Sequence, residues 1–292
     1  MVNAYVPADL GEALRLLQEK TVIPYAGGTD IMVHPQAEAA YLFLRQLPEL
    51  NQICTTDQYF VIGSAVTYQA LLTQTAVRLP DILLQACRQV AAPPIRNLGT
   101  LGGNICNASP AGDTLPVLYA LDASVRLARL EPAVRDCQNL TPTIGYRILP
   151  LRQFIQGVRR TCRRPEELLI EILIPQTHDT LTYYEKIASR KAQAIAKLSF
   201  AGAASVSQGQ LQRLALAFGS VGVTVVRDSL IEAKIINGSY DPEAAVQAYA
   251  ALLRPITDQR STASYRKTVC LNLARDFLTA VQAQVTAGRR GR

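Results

Sequence analysis

Thr100-Leu-Gly-Gly-Asn-Ile-Cys-Asn-Ala-Ser-Pro-Ala-Gly-Asp113 decides how this chain is read. Thr100, Asn104, Ser109 and Asp113 set hydrogen-bonding side chains beside Gly102, Gly103 and Gly112, and apolar residues flank the stretch on both sides. A polar segment in an apolar context must satisfy its donors and acceptors, either on itself through Asx and Ser/Thr bonds or on a bound polar ligand. Upstream, Ala26-Gly-Gly-Thr-Asp30 begins where the apolar run from Val22 to Tyr25 ends. Adjacent glycines let the backbone turn through positive φ and approach a ligand closely, so the N–H groups of Gly27, Gly28 and Thr29 can converge on one anion, such as a dinucleotide's diphosphate. An ordinary tight turn is the other reading. Neither segment is a GxGxxG fingerprint or a Walker P-loop.

Around these loops the pattern alternates between strands and helices. Asp9-Leu-Gly-Glu12 caps a helix to about Lys20 whose Leu10, Ala13, Leu14 and Leu17 share one face. Tyr59 to Gly63 reads as a strand and Thr67 as the cap of the next helix. A helix over Asp81 to Val90 is stopped by Pro93-Pro94, where the second glycine loop begins. Thr114 to Leu121 reads as helix, Ser124 to Leu130 as strand, 131–145 as loop, and Leu168 to Ile174 as a strand closing at Pro175. Beyond a linker, strands at Leu181–Ile187, Leu198–Ser207 and Leu211–Gly219 follow, the last two joined by Gln208-Gly209. Helices at about 228–235, 242–253 and 262–285 complete a sheet with helices on one face.

With 292 residues, 49% hydrophobic and 18% charged, the chain can bury a substantial core in about two domains. No stretch has the length and apolarity of a membrane span, and the N-terminus lacks a signal peptide's basic and apolar blocks, so no membrane association is expected and the cytoplasm is the default compartment. The net charge of +7 resides in two arginine clusters, Arg159, Arg160, Arg163, Arg164 and then Arg289, Arg290, Arg292. No aromatics interleave with them, which argues against nucleic acid and for a solvated helix face or tail, with an acidic partner protein as the other reading. Six scattered cysteines without a CxxC point to reduced, mostly buried thiols. With only His34 and His178, no metal cluster and no Ser-His-Asp or Cys-His pair can be assembled, so no catalytic or metal-ligating residue is assigned. Lys186, within Tyr183 to Arg190, reads on its own as a solvated position at a sheet edge.

Taken together, Ala26 to Asp30, Thr100 to Asn104 with Ser109 to Asp113, Glu185-Lys-Ile-Ala-Ser-Arg190 with Ile195-Ala-Lys197, and Pro255 to Arg266 resemble the FAD-binding subunit of the xanthine dehydrogenase family of molybdenum hydroxylases. The resemblance covers nearly the whole chain. It implies an α+β fold: a two-subdomain FAD-binding module of the vanillyl-alcohol-oxidase type over 1–176, then a smaller α+β C-terminal flavoprotein domain over 177–292. It also implies that Ala26, Gly27, Gly28, Thr29, Asp30 and Ile31 line the FAD diphosphate. Thr100, Asn104, Ser109 and Asp113 would touch the flavin or its chain, with Gly102 and Gly103 permitting close approach, and Leu169 and Lys186 would be further flavin contacts. Lys186 and the loop N–H groups would favour a negatively charged reduced flavin.

The resemblance implies partners as well: a molybdopterin-binding large subunit and a [2Fe-2S] small subunit, with electrons leaving FAD for a soluble acceptor such as NAD. Two departures bear on this. Ala192-Gln193 replaces the acidic residues that follow the equivalent segment in eukaryotic xanthine dehydrogenases, so this segment does not by itself specify NAD as the acceptor. Cys106, Cys137 and Cys162 do not match the extra [4Fe-4S] site of relatives that reduce benzoyl-coenzyme A, so no iron is expected. Two alternatives stay open: the same module serving carbon monoxide or aldehyde oxidation, and a flavin-free assembly subunit.

Overall fold

In the computed structural model, which describes residues 4–36, 38–131, 134–136, 139–141 and 143–290, the chain forms two compact units that do not follow chain order. One comprises Met1–Arg78, Pro93–Asn107 and Ala123–Pro175; the other comprises Leu79–Ala92, Ala108–Asp122 and Gln176–Arg292. Cys137 and Arg292, both invoked from sequence, lie outside the described residues.

The first unit starts with helix Leu10–Glu19. Asp9 accepts from the Glu12 N–H at 2.8 Å, while the Glu12 carboxylate reaches back to the Ala8 N–H at 2.7 Å. Its buried stripe packs with Leu42, Leu44, Leu47, Leu50 and Ile170. Three parallel strands, with Ala40–Phe43 between Ala4–Tyr5 and Val22–Tyr25, deliver the chain to the first glycine loop. The five-stranded antiparallel sheet runs Ile53–Thr55, Tyr59–Gly63, Leu168–Pro175, Ser124–Leu130, Ile144–Pro150. Its central strand reads as an almost unbroken apolar run because both faces are covered. The exception, Glu171, pairs with Arg126 at 2.6 Å.

The second unit is built on antiparallel strands Leu181–Ile187, Leu198–Ser207 and Gln210–Gly219. Gln208 and Gly209 both adopt positive φ, 50° and 71°, as a two-residue hairpin turn that follows strand twist requires. Phe200, Phe218, Tyr249 and Phe277 stack on one face at centroid separations of 5.0–6.0 Å, together with Leu214 and Leu216. Each such burial contributes about 1.5–3 kcal/mol. Gly202 makes room for the Phe277 ring from helix Ala263–Arg290, since a Cβ there would lie 2.8 Å from it. On the other face, Gly219 meets Pro116 of helix Leu115–Ala120. Arg213 and Arg227 fasten the end of that helix, each pairing with Asp122.

Several sequence expectations need correction. Gly102 and Gly103 lie within helix Leu101–Asn107 rather than in a loop, because Thr100 caps it by accepting from the Gly103 N–H at 3.0 Å. Pro93-Pro94 opens a helical turn, Pro93–Arg96, as prolines at a helix start can. The 131–145 stretch includes paired strands Val134–Asp136 and Asn139–Thr141 and the start of Ile144–Pro150. The arginines at 159 and 160 sit on a hairpin, Ile155–Gly157 with Arg160–Thr161, not on a helix face. The last helix continues to Arg290, and Arg289 donates to the Gly209 carbonyl at 3.2 Å, so Arg289 is not on a free tail.

Candidate functional site

Backbone contact holds the two glycine segments of the first unit together. A Cβ on Gly27 would fall 1.9 Å from the Leu98 carbonyl oxygen, and one on Gly102 would fall 2.5 Å from that of Ser64. Gly28 has φ +71°, and a Cβ there would lie 2.0 Å from the Tyr25 hydroxyl. Glycine is therefore required by space at Gly27 and Gly102, and by both space and conformation at Gly28. Ala26 to Thr29 are half-buried and Asp30 is exposed. The Met32 N–H bonds the Gly28 carbonyl at 3.0 Å, turning the chain into the short helix Ile31–Val33.

Thr100 is buried and its hydroxyl is engaged by the Gly103 N–H, while the Asn104 N–H bonds the Thr100 carbonyl at 3.1 Å. Gly102 donates to the Ser64 carbonyl, and Ser64 donates in turn to the Ile170 carbonyl at 2.9 Å. A bulge between Leu169 and Glu171 frees Ile170 for this bond. Leu169 itself is buried and paired with Leu127.

In the second unit, Lys186 and Asp113 form an ion pair at 2.6 Å, and the same ammonium donates to the Gln89 carbonyl at 3.0 Å. The Tyr184 hydroxyl donates to the Asp113 carbonyl at 3.0 Å. Lys186 occupies an edge strand, as its spacing suggests, yet its side chain is 5% exposed and is not solvated. Burial pushes the Asp113 carboxyl above its ordinary range, and the ammonium opposes that rise. Asp113 Oδ1 is buried with no hydrogen-bond partner among the described residues. Ser109 is half-buried and bonds locally, its hydroxyl accepting from the Ala111 N–H at 3.3 Å.

Of the sequence-derived candidates, residues 26–31, 100–104 and Leu169 thus belong to the first unit, and Ser109, Asp113 and Lys186 to the second. Four participants escaped the sequence reading. Tyr25, Ser64 and Leu98 act through backbone or ring contacts that carry no composition signal. Arg159 was visible as part of a basic cluster, but its partners, Asp30 and Asn107, are distant in sequence.

Residues 1–177 match the family model described as the FAD binding domain in molybdopterin dehydrogenase, and residues 183–281 match that of the CO dehydrogenase flavoprotein C-terminal domain. The nicotinate dehydrogenase FAD-subunit of Eubacterium barkeri is 30% identical over 204 residues, 65% of this chain and 64% of that one. The glyceraldehyde dehydrogenase medium chain of Sulfolobus acidocaldarius is 27% identical over 276 residues, 91% of this chain and 93% of that one. Among solved structures, carbon monoxide dehydrogenase from Hydrogenophaga pseudoflava lacking the Mo-pyranopterin moiety matches with a TM-score of 0.83 at 25% identity, covering 97% of each chain. The two glycine segments, the two domain matches and the shared architecture agree: this chain belongs to the family of FAD-binding subunits of molybdopterin dehydrogenases.

Proposed function

We propose that this chain is the electron-transfer subunit of a cytoplasmic molybdenum hydroxylase of the xanthine dehydrogenase type. In this reading it works beside a molybdopterin-binding large subunit and a [2Fe-2S] small subunit and delivers electrons to a soluble acceptor, NAD being the first to test. The observation that carries the FAD assignment to particular residues is the buried, unpartnered Oδ1 of Asp113: a desolvated carboxylate oxygen calls for a donor, and a hydroxyl-bearing ligand supplies one. When bound, FAD supplies the exchange between single-electron and two-electron carriers, chemistry that side chains lack.

The chain's own residues would then do three things. Ala26 to Ile31 present backbone N–H groups to the diphosphate, with Gly27 and Gly28 kept free of Cβ by their neighbours. Thr100 and Asn104 hold the start of helix Leu101–Asn107, seating Gly102 on the Ser64 carbonyl and leaving Gly103 exposed for close approach to the ligand, with Leu169 as a further ligand contact. In the second unit, Ser109, Asp113 and Lys186 offer a hydroxyl, a carboxylate oxygen and a buried ammonium whose positive charge favours added negative charge on a ligand.

The segment Glu185 to Arg190 with Ile195-Ala-Lys197 favours a purine or another N-heterocycle as the complex's substrate, and the nicotinate dehydrogenase relative agrees with that class. The glyceraldehyde and carbon monoxide dehydrogenase relatives favour the second reading, a medium subunit for aldehyde or carbon monoxide oxidation. The deciding experiment for the cofactor is the visible spectrum of the purified chain after addition of FAD and removal of the excess. A stoichiometric flavin retained by the parent and lost in Asp113→Asn supports the assignment; equal retention by both removes Asp113 from it. No retention by the chain, alone or in its co-purified complex, would favour a flavin-free assembly subunit. Reduction of NAD by the complex given a purine, an aldehyde or carbon monoxide then settles acceptor and substrate.

A further inference from the structure

Arg159 occupies the turn between strands Ile155–Gly157 and Arg160–Thr161 and has a φ of 58°, the left-handed region that a long side chain seldom adopts. From there Nη1 donates to Asp30 Oδ2 at 2.5 Å and also to Asn107 Oδ1. Asp30 ends the first glycine segment and Asn107 ends helix Leu101–Asn107, so one guanidinium nitrogen joins the far ends of both. Arg163, four residues on, is spent otherwise, donating to the carbonyls of Arg164, Pro165 and Glu167. Side chains of Arg159 and Asp30 are 58% and 50% exposed. An ion pair that open contributes little to global stability, so a fold-stabilising role does not account for a strained arginine reaching two segments at once.

We propose that Arg159 is a positioning residue that holds Ala26–Asp30 and Leu101–Asn107 at the separation the FAD diphosphate needs. This rests on the FAD reading above. The ligand's diphosphate needs several N–H groups aimed at it together, and a small drift of either segment spoils that convergence. Nearer the glycines, Gly27 already packs on Leu98 and Thr29 on Gly99, so Arg159 closes the end of the pair that backbone packing leaves open.

The test uses the full chain as Arg159→Ala, Asp30→Ala and their double variant, with FAD affinity read by flavin fluorescence titration and hydrogen exchange read on the ligand-free protein. The expected result is a loss of affinity of about tenfold or more in each single variant, with the double variant no weaker than the worse single one within about twofold, as one shared interaction demands. Exchange in 26–36 and 101–107 should rise together in ligand-free Arg159→Ala and stay unchanged in 198–219. Asn107→Ala breaks the other arm while keeping both charges, and serves if Arg159→Ala fails to fold. Parent-like affinity in Arg159→Ala, or in Asn107→Ala where that substitutes, overturns the proposal. Tighter binding in Asp30→Ala also overturns it, because it would mean that the guanidinium, once released, contacts the ligand directly. A parent chain that binds no FAD overturns the FAD reading and this inference with it, an outcome distinct from a parent that binds and variants that match it.

Discussion

Asp113 and Lys186 meet at 2.6 Å with side chains 13% and 5% exposed, and within the second unit their pair ties the segment Ala108–Asp122 to the edge strand Leu181–Ile187. Removing one member of a buried pair leaves the other charge without compensation, at a cost of about 3–5 kcal/mol. Lys186→Ala should therefore lower the urea midpoint strongly, and the double change Lys186→Met with Asp113→Leu should recover part of that loss. A double variant worse than the single one would show that the pair is not the dominant interaction there.

The pH dependence of that variant follows from the raised Asp113 carboxyl. A carboxyl whose folded-state value lies above its unfolded one contributes stability that is present below the unfolded value, 3.8, and lost as pH rises through the folded one. Without Lys186 the opposing charge is gone and the rise is larger. The stability gap between the parent and Lys186→Ala should be widest near neutral pH and narrow as pH falls toward 4. Melting temperatures across that range check this, and a constant gap would count against it.

Asp258 behaves in the opposite sense. The Arg260 N–H and the Arg266 guanidinium hold its carboxyl down to about 2. Stability from a lowered carboxyl is present above the ordinary value of 3.8 and lost as pH falls through about 2. Asp258→Asn should flatten the acid limb of the stability profile between those values, as followed by circular dichroism at graded pH.

Gly27 and Gly28 separate space from conformation. Gly27→Ala places a Cβ on the Leu98 carbonyl and should displace the whole segment, while Gly28→Ala adds a positive φ to a clash with the movable end of Tyr25. Both should lose stability, by about 1–3 kcal/mol from strain at Gly28, and both should weaken FAD binding. Adding Tyr25→Ala to Gly28→Ala removes the hydroxyl together with the ring carbons 2.4 and 2.8 Å from that Cβ and should restore part of the affinity, whereas no such rescue exists for Gly27→Ala.

Glu232, with a side chain 4% exposed, accepts from the Leu216 N–H at 2.8 Å and pairs with Arg227 at 2.9 Å. Glu232→Ala should destabilise the second unit by about 3 kcal/mol or more, since both a buried N–H and a guanidinium lose a partner. Glu232→Gln keeps an acceptor for Leu216 and should cost less. Equal losses in the two variants would assign the effect to packing.

Much of the architecture was legible in the sequence because it rests on neighbours along the chain. The stripe Leu10, Ala13, Leu14, Leu17, the Thr67 cap and the Gln208-Gly209 turn all appear where spacing and turn chemistry put them. Strands Ala40–Phe43, Ile53–Thr55 and Ile144–Pro150 were not read, being short or interrupted by glycine and arginine, so their identity depends on the strands beside them. The glycine pair at Gly102 suggested a loop, but a threonine cap and the close approach of Ser64 made it helix.

The sequence by itself determined which segments could hold a phosphate-bearing ligand, because adjacent glycines and short polar side chains have that capacity wherever they stand. Only the tertiary structure decided which charges stand beside them. Lys186 finds Asp113 across 73 residues and Arg159 finds Asp30 across 129, and nothing local marks either cation as different from its solvated neighbours. A charge acquires its role from the dielectric and the partners around it, and those are set when distant strands and turns become neighbours.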